Sequence, residues 1–298
     1  MIVTDIVGIG DPQVLAWNGK YYMYGTTAAE GFRVWESADL VSWEPRGLCF
    51  RAIESWGEKD FWAPEVVAHD GKFLMHYTAQ SRALHSKRIG VAVADSPTGP
   101  FRDVWDRPMF DFGWAAIDAS VLRCPEGNFL YFSRDCGENY VDGIKTSQTW
   151  CVRLDESLTR TVGEPEFMTG PTNPWERISL NMPVPHLWNE GPCVVYEGGR
   201  YWLNFSVNWY ASNDYAIGLA VADHPMGPWT KPSNNPVFNR GNGLSGAGHN
   251  AFFRKPDGTL MTSMHVQADP EHPGSNRRAV IAGVRFGERN GEPIEILS

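Results

Sequence analysis

The sequence lacks the features that would direct its 298 residues to a membrane or to nucleic acid. No apolar run approaches the roughly 20 residues that a bilayer-spanning helix needs, and lysine and arginine are nowhere clustered. The formal net charge is −9, whereas binding to a phosphate backbone is driven by concentrated positive charge. We therefore expect a neutral ligand, with neither nucleic acid nor a membrane as partner.

Cysteine is scarce and irregularly spaced. The five cysteines are odd in number and form no CxxC pair, a pattern that suits neither a disulfide framework nor a zinc site. The opening MIVTDIVGIGDP also lacks the basic start, apolar run and cleavage site of a signal peptide. The sequence predicts reduced thiols and a cytoplasmic protein, with a trimmed form of a secreted protein as the alternative.

Five repeated segments organise the chain, and each reads as an apolar run, a tight turn and a second apolar run. They begin at Gly10, Ala63, Ile117, Asn189 and Gly248. The runs are rich in aromatic and β-branched residues, which are typical of strands. Four turns contain residue pairs that tolerate the positive φ of two-residue hairpins. These are Asn18-Gly19, Asp70-Gly71, Gly198-Gly199 and Asp257-Gly258.

A second pair of strands follows the hairpin in several repeats. The segments IGVAVADSPTGPFRD and IGLAVADHPMGPWTK are near duplicates, and each has a short apolar strand before an Asp-x-Pro-x-Gly-Pro turn. Four strands per unit are typical of a propeller blade. We therefore predict one all-β domain over residues 1–298, a five-bladed β-propeller with four-stranded antiparallel blades around a central channel.

Polar side chains open the first strand of most repeats. In a propeller these positions meet at one mouth of the central channel. They hold Asp11, Asp118, Glu190 and His249, while Ala63 takes the place in the second repeat. Taken singly, each polar residue is readily explained as a turn or structural residue. Together, three acids and a histidine in one register are costly to bury unless they are paired or functional, so the pattern favours an active site.

The motifs at these positions resemble those of glycoside hydrolase family 43, and the resemblance covers nearly the whole chain. The motifs are Asp11-Pro12, Trp62-Ala63-Pro64, Ile117-Asp118, Glu190-Gly191-Pro192 and Gly248-His249. The resemblance implies a five-bladed propeller that cleaves arabinofuranosyl or xylosyl linkages. It also implies that Asp11 is the general base, Glu190 the general acid and Asp118 the modulator of the pKa of Glu190. Two departures beside these residues, Cys193 and Ala119, bear on substrate preference.

The implied roles agree with the chemistry of inverting hydrolysis. That reaction needs an ionised carboxylate to activate water and a protonated carboxyl, about 6.5–9.5 Å away, to protonate the leaving oxygen. Residues on separate blades can span such a gap. On this hypothesis Asp118 places a like charge near Glu190 and so raises the pKa of Glu190.

Further residues are expected around the sugar. Trp62, Trp114 and Trp188 lie just upstream of the site strands, and indole rings pack against the C–H faces of sugars. Arg277 is expected to bind a sugar hydroxyl or a catalytic acid, with a surface role as the alternative. His249 either orients a carboxylate or, as the resemblance implies, lies beside a Ca²⁺ ion in the central channel. No cofactor is expected to be required.

The leading hypothesis is an inverting exo-glycosidase that removes terminal α-L-arabinofuranosyl or β-D-xylosyl residues from plant-polysaccharide oligosaccharides. The exo assignment depends on Glu190-Gly191-Pro192 and on residues 162–188, which read as one long loop that walls off a groove. The alternatives are an endo-arabinanase or galactofuranosidase of the same fold, and a non-catalytic sugar-binding propeller. The sequence does not indicate an oligomeric state.

Overall fold

The computed structural model describes residues 1–298 and consists almost entirely of strands and their connections. The first eleven strands are β1 (Ile2–Val7), β2 (Gly10–Trp17), β3 (Lys20–Thr26), β4 (Gly31–Ser37), β5 (Glu44–Arg51), β6 (Gly57–His69), β7 (Lys72–Ser81), β8 (Lys87–Ala94), β9 (Arg102–Asp103), β10 (Ala116–Cys124) and β11 (Gly127–Arg134). The remaining strands are β12 (Tyr140–Val141), β13 (Ile144–Thr146), β14 (Gln148–Leu154), β15 (Thr161–Thr169), β16 (His186–Leu187), β17 (Asn189–Glu197), β18 (Arg200–Val207), β19 (Ala216–Ala222), β20 (Gly248–Arg254), β21 (Leu260–Gln267), β22 (Arg277–Arg289) and β23 (Glu292–Leu297). The prediction of an all-β chain is confirmed.

Helical structure is limited to two short 3-10 segments. They span Ala52–Glu54 and Pro174–Asn181. Neither is long or apolar enough to cross a membrane.

The strands form five large antiparallel sheets and one small sheet. Sheet I contains β2 to β5, sheet II contains β6 to β9, and sheet III contains β10, β11, β14 and β15. Sheet IV contains β17 to β19, and sheet V contains β20, β21, β22 and β1, with β23 beside β22. The small sheet joins β12, β13 and β16 and includes one parallel pair.

The prediction of four strands in every sheet is wrong for sheets IV and V. After β19, residues 223–247 contain four prolines, which cannot donate to a ladder, so only isolated bridges at Thr230 and Phe238 follow β19. Sheet V gains β1 from the opposite end of the sequence. Residues 162–188 are also not a single loop, because residues 161–169 form β15.

The first strands of the five large sheets contact one another in a closed cycle. Strand β2 lies beside β6, β6 beside β10, β10 beside β17, β17 beside β20, and β20 again beside β2. Each pair of neighbouring sheets encloses its own apolar cluster, such as Phe32, Phe50 and Tyr77 between sheets I and II. The core is therefore divided into five apolar interfaces, one for each pair of neighbouring sheets.

Each first strand carries a bulge at the same point. Its pairing register shifts there, and one residue adopts a φ between +44° and +58°. We call these five the bulge residues: Asp11, Ala63, Asp118, Gly191 and His249. The predicted register is thus off by one in sheet IV, where Gly191 rather than Glu190 is the bulge residue.

A ring of hydrogen bonds joins the bulge residues to the neighbouring sheets. Each bulge N–H donates to a side chain on the second strand of the preceding sheet, which satisfies a donor that the bulge removes from its own ladder. We call the accepting residues the acceptor positions. The bonds run from Ala63 to Thr26 (2.8 Å), Asp118 to Thr78 (3.0 Å), Gly191 to Ser133 (3.2 Å), His249 to Ser206 (2.7 Å) and Asp11 to His265 (3.1 Å).

Candidate active site

The bulges converge on one cavity, which holds about 750 Å³ including the part open to solvent. Its lining comes from all five sheets and brings together most of the residues predicted from the sequence. The lining residues are Asp11, Thr26, Trp62, Lys87, Ile117, Asp118, Asp135, Trp188, Glu190, Tyr210, Tyr215, His249 and Arg277.

Asp11 is surrounded by cationic and hydrogen-bonding groups. Its Oδ1 accepts a hydrogen bond from Arg277 at 3.0 Å and lies 3.2 Å from Nδ1 of His249, while Oδ2 accepts one from Thr26 at 2.5 Å. Burial opposes ionisation of Asp11, but His249, Arg277 and the bond from Thr26 outweigh it and hold its pKa below the usual range. Asp11 is therefore an ionised carboxylate at neutral pH.

Asp118 is more buried than Asp11 and loses its proton at a higher pH. Its side chain accepts hydrogen bonds from Ser133 at 3.3 Å and from the backbone N–H of Gly191 at 3.1 Å. Burial raises its pKa to about 6; the nearby His249 lowers it, and Asp11 adds a smaller increase. Asp118 is thus negatively charged at neutral pH and protonated in mild acid.

Glu190 keeps its proton to a much higher pH than an ordinary carboxyl. Burial and then the like charge of Asp118 raise its pKa well above the usual range. The hydroxyl of Tyr215 donates a 3.0 Å hydrogen bond to Oε1 of Glu190 and partly opposes this rise. One cavity therefore contains a carboxylate poised to accept a proton and a carboxyl poised to give one, which is the combination that glycosidic bond hydrolysis requires.

The comparisons with known proteins agree with this chemistry. The model of the family described as Glycosyl hydrolases family 43 matches residues 7–291. The chain belongs to this family. A solved thermostable family-43 glycoside hydrolase is 39% identical, with a TM-score of 0.90 over 99% of this chain and 94% of its own. The protein is therefore a glycoside hydrolase.

Other relatives of this family-43 enzyme are named for different activities. A β-D-galactofuranosidase of Aspergillus niger is 26% identical over 83% of this chain and 70% of its own length. An endo-α-(1→5)-L-arabinanase of Bacillus subtilis is 23% identical over 86% of this chain and 77% of its own length. A solved endo-1,4-β-xylanase of Bacteroides thetaiotaomicron is 31% identical, with a TM-score of 0.83 over 98% and 94% of the two chains.

Two of the three tryptophans predicted to contact sugar line the cavity of the hydrolase. Trp62 and Trp188 do so, and the ring of Trp188 stacks on His186. Trp114 does not line the cavity. It packs between Phe112 and Phe132, with the guanidinium of Arg134 over its ring, because the segment before β10 turns it towards the interface of sheets II and III.

Arg277 and His249 both lie beside the carboxylate of Asp11, the predicted general base. Both contact Asp11, so neither has a purely surface role. The residues at His249 do not by themselves form a cation site, since no three His, Cys, Asp or Glu side chains are grouped to hold a metal. A calcium ion at His249 stays a prediction, and no step of the mechanism depends on one.

Several cavity residues escaped the sequence analysis because they lie outside the first-strand motifs. Lys87 opens β8 and pairs with Asp135 at 3.0 Å, while its ammonium lies 4.8 Å from the centre of the Trp62 ring. Tyr210 and Tyr215 come from the connection between β18 and β19. The guanidinium of Arg277 lies over the Tyr210 ring at 4.7 Å. No repeat or motif identifies these residues, so only the fold reveals them.

The segment Pro174–Asn181 is fixed to the connection that carries Tyr210 and Tyr215. Asn208 accepts a hydrogen bond from the N–H of Ile178 and donates to the carbonyls of Trp175 and Asp214. At the start of the segment, the fully buried carboxylate of Glu176 forms an ion pair of 2.8 Å with Lys231. These contacts tie the segment leading to Trp188 to the connection that carries Tyr210 and Tyr215.

Proposed function

We propose that the five large sheets are the blades of a five-bladed β-propeller whose channel axis passes through the ring of bulge residues. The closed cycle of first strands and the five apolar interfaces support this arrangement. The ring of hydrogen bonds from Asp11 round to His249 supports it as well, because it returns to its starting sheet after five steps.

We propose further that the enzyme is an inverting exo-glycosidase that releases terminal α-L-arabinofuranosyl or β-D-xylosyl residues from plant-polysaccharide oligosaccharides. The observation that carries this proposal is that Asp11, held by Arg277 and His249, and Glu190, held by Tyr215, line one cavity. Their surroundings shift the two pKa values in opposite directions. The two residues belong to sheets I and IV, so a sugar can lie between them. A cytoplasmic location stays a prediction.

In this mechanism Asp11 takes a proton from a water molecule, whose oxygen forms a bond to the anomeric carbon. The bond from that carbon to the leaving oxygen breaks, and Glu190 gives its proton to the leaving oxygen. Asp118 keeps Glu190 protonated before the reaction through its like charge. Arg277 and His249 keep Asp11 ionised and hold its orientation.

The exo assignment is supported by Trp188, which lines the cavity, and by Asn208, which holds the segment Pro174–Asn181 to the connection that carries Tyr210 and Tyr215. The relatives leave a second candidate for the sugar, because a galactofuranosidase matches most of the chain. An endo-arabinanase also matches, and it would release internal fragments rather than single sugars. The products therefore distinguish the candidates.

The test is release of 4-nitrophenol from its α-L-arabinofuranoside, β-D-xyloside and β-D-galactofuranoside by wild type and Glu190→Gln. We expect hydrolysis of one of the first two. On oligosaccharides of the same sugar, whose leaving alkoxide needs a proton, the variant should lose about 10²- to 10⁴-fold because the general acid is gone. Its loss on the nitrophenyl glycoside should be smaller, since 4-nitrophenolate leaves with little protonation. Proton NMR of the first anomer released checks inversion. Chromatography of arabinan digests separates single sugars from larger fragments.

Glu197→Gln is the matched control, because Glu197 ends the same strand and pairs with Arg254 at the surface. It should retain wild-type turnover. Retention of the starting anomeric configuration would overturn the inverting mechanism. Turnover of the galactofuranoside alone would overturn the sugar assignment, and binding of sugars without any turnover would favour the non-catalytic reading.

A further inference from the structure

One of the five acceptor positions differs from the others in chemistry. In sheets I to IV the acceptor is a hydroxyl, from Thr26, Thr78, Ser133 and Ser206, and in sheet V it is the imidazole of His265. All five occupy the same place, directly opposite the residue that precedes the bulge residue. A serine or threonine at position 265 could therefore also accept the hydrogen bond from Asp11.

The imidazole has a cost that a hydroxyl would avoid. Nδ1 of His265 accepts the hydrogen bond from Asp11, so in the neutral ring Nε2 carries the proton. That nitrogen is buried and has no partner, and an unpaired buried donor is unfavourable. Burial lowers the pKa of His265 well below its usual value and keeps the ring neutral. The other contacts of His265 therefore bear on what the imidazole adds to the ring of hydrogen bonds.

The contacts of His265 show what the imidazole adds. On one side, the imidazole holds the backbone of Asp11, and its Nδ1 lies 3.5 Å from Oδ1 of the same residue. On the other side, it stacks on the ring of Tyr215, with centroids 5.4 Å apart and planes 4° from parallel. Tyr215 in turn donates to Glu190. The groups that surround His265 are completed by His249 and Arg277.

We propose that His265 is a positioning residue that fixes Asp11 and, through Tyr215, Glu190 relative to each other. This inference rests on the proposed roles of the two acids. A hydroxyl at this position would hold Asp11 in the ring but would leave the face of Tyr215 unsupported. The single histidine thus couples the general base on sheet I to the hydrogen-bond donor of the general acid on sheet IV.

The test compares two variants that separate the two contacts. His265→Ser restores the hydroxyl acceptor used by the other four sheets and removes the stacking partner. His265→Phe keeps a ring against Tyr215 and removes the acceptor. His265→Thr replaces the serine variant if that variant does not fold, since Thr26 and Thr78 already fill equivalent positions. Thr78→Ser is the control, because it changes one acceptor of the ring of hydrogen bonds and neither contact of His265.

We expect His265→Ser to fold like wild type, with a kcat lower by about 10- to 100-fold and a KM changed much less, because misplacement of a catalytic group acts on turnover. The alkaline limb of the pH profile of kcat should move to higher pH in this variant, since a weakened hydrogen bond from Tyr215 lets the pKa of Glu190 rise. His265→Phe should keep the alkaline limb. Wild-type kcat and an unmoved limb in His265→Ser would overturn the inference.

A second measurement does not depend on turnover. Carbon-13 NMR of glutamate side-chain carboxyls, with Glu190→Gln to assign the signal, follows the titration of Glu190 directly. A higher midpoint in His265→Ser than in wild type supports the inference, and equal midpoints contradict it. If wild type cleaves no glycoside, the proposed function fails, and this titration still decides the role of His265.

Discussion

The backbone N–H of Gly191 donates a 3.1 Å hydrogen bond to Oδ2 of Asp118. The carboxylate of sheet III therefore holds the residue that follows Glu190 on sheet IV. The same carboxylate is the strongest of the negative charges that raise the pKa of Glu190. Asp118 thus bears on both the position and the protonation of the proposed general acid.

Asp118→Asn should lower the pKa of Glu190, because the like charge is removed while the side-chain size is kept. The alkaline limb of kcat should move to lower pH by roughly one unit or more. The difference from wild type should be greatest above pH 6, since the pKa of Asp118 is about 6 and its charge fades in acid. A pH–rate profile with an unmoved alkaline limb would contradict this role of Asp118.

Arg277→Ala should act on the acid limb of the pH–rate profile. Without the guanidinium the pKa of Asp11 rises, so the general base becomes protonated at a higher pH. We expect the acid limb of kcat/KM to move upward by about one unit or more, with the greatest loss of activity below neutral pH. Arg278→Ala, whose side chain forms no ion pair with Asp11, is the neighbouring control and should leave the acid limb in place.

Tyr215→Phe should raise the pKa of Glu190, because the lost hydrogen bond favours the ionised carboxylate. A hydrogen bond to a charged group contributes about 1.5–3 kcal/mol, so the alkaline limb should move upward by roughly one unit. Tyr24→Phe removes a hydroxyl that bonds to the carbonyl of Pro97 away from the cavity. A similar shift in that control would show that the effect is not local.

Lys231→Met should destabilise the fold. It leaves the carboxylate of Glu176 buried without its cation, a change that typically costs about 3–5 kcal/mol. Urea unfolding followed by tryptophan fluorescence measures the loss. Lys20→Met breaks the exposed pair with Glu36 and should change the free energy of unfolding little. Equal effects of the two substitutions would show that the buried pair does not stabilise the segment Pro174–Asn181.

The sequence predicted the repeats well because hairpin turns and strand composition are local properties. It also predicted that Asp11, Asp118, Glu190, His249 and Arg277 meet in one place. It placed Glu190 rather than Gly191 at the bulge, because a bulge adds one residue to a strand without changing the pattern of apolar residues.

The residues that the sequence analysis missed are those whose position depends on long-range packing. Tyr215 lies in the connection before β19 and His265 lies 50 residues later on β21, so the two rings meet only when sheets IV and V pack together. Trp114 was assigned to the sugar because it lies just before β10. Its side chain packs against Phe132 instead, and no local pattern records that direction.

Closure of sheet V joins the two ends of the sequence. Strand β1 pairs with β22, and the hydroxyl of Thr4 donates to the carbonyl of Ala279, 275 residues away. During synthesis, β1 leaves the ribosome before β22 and cannot pair until β22 has been made. Such distant pairings slow folding. The cavity, which includes Asp11 just after β1 and Arg277 on β22, is therefore complete only once both segments are present.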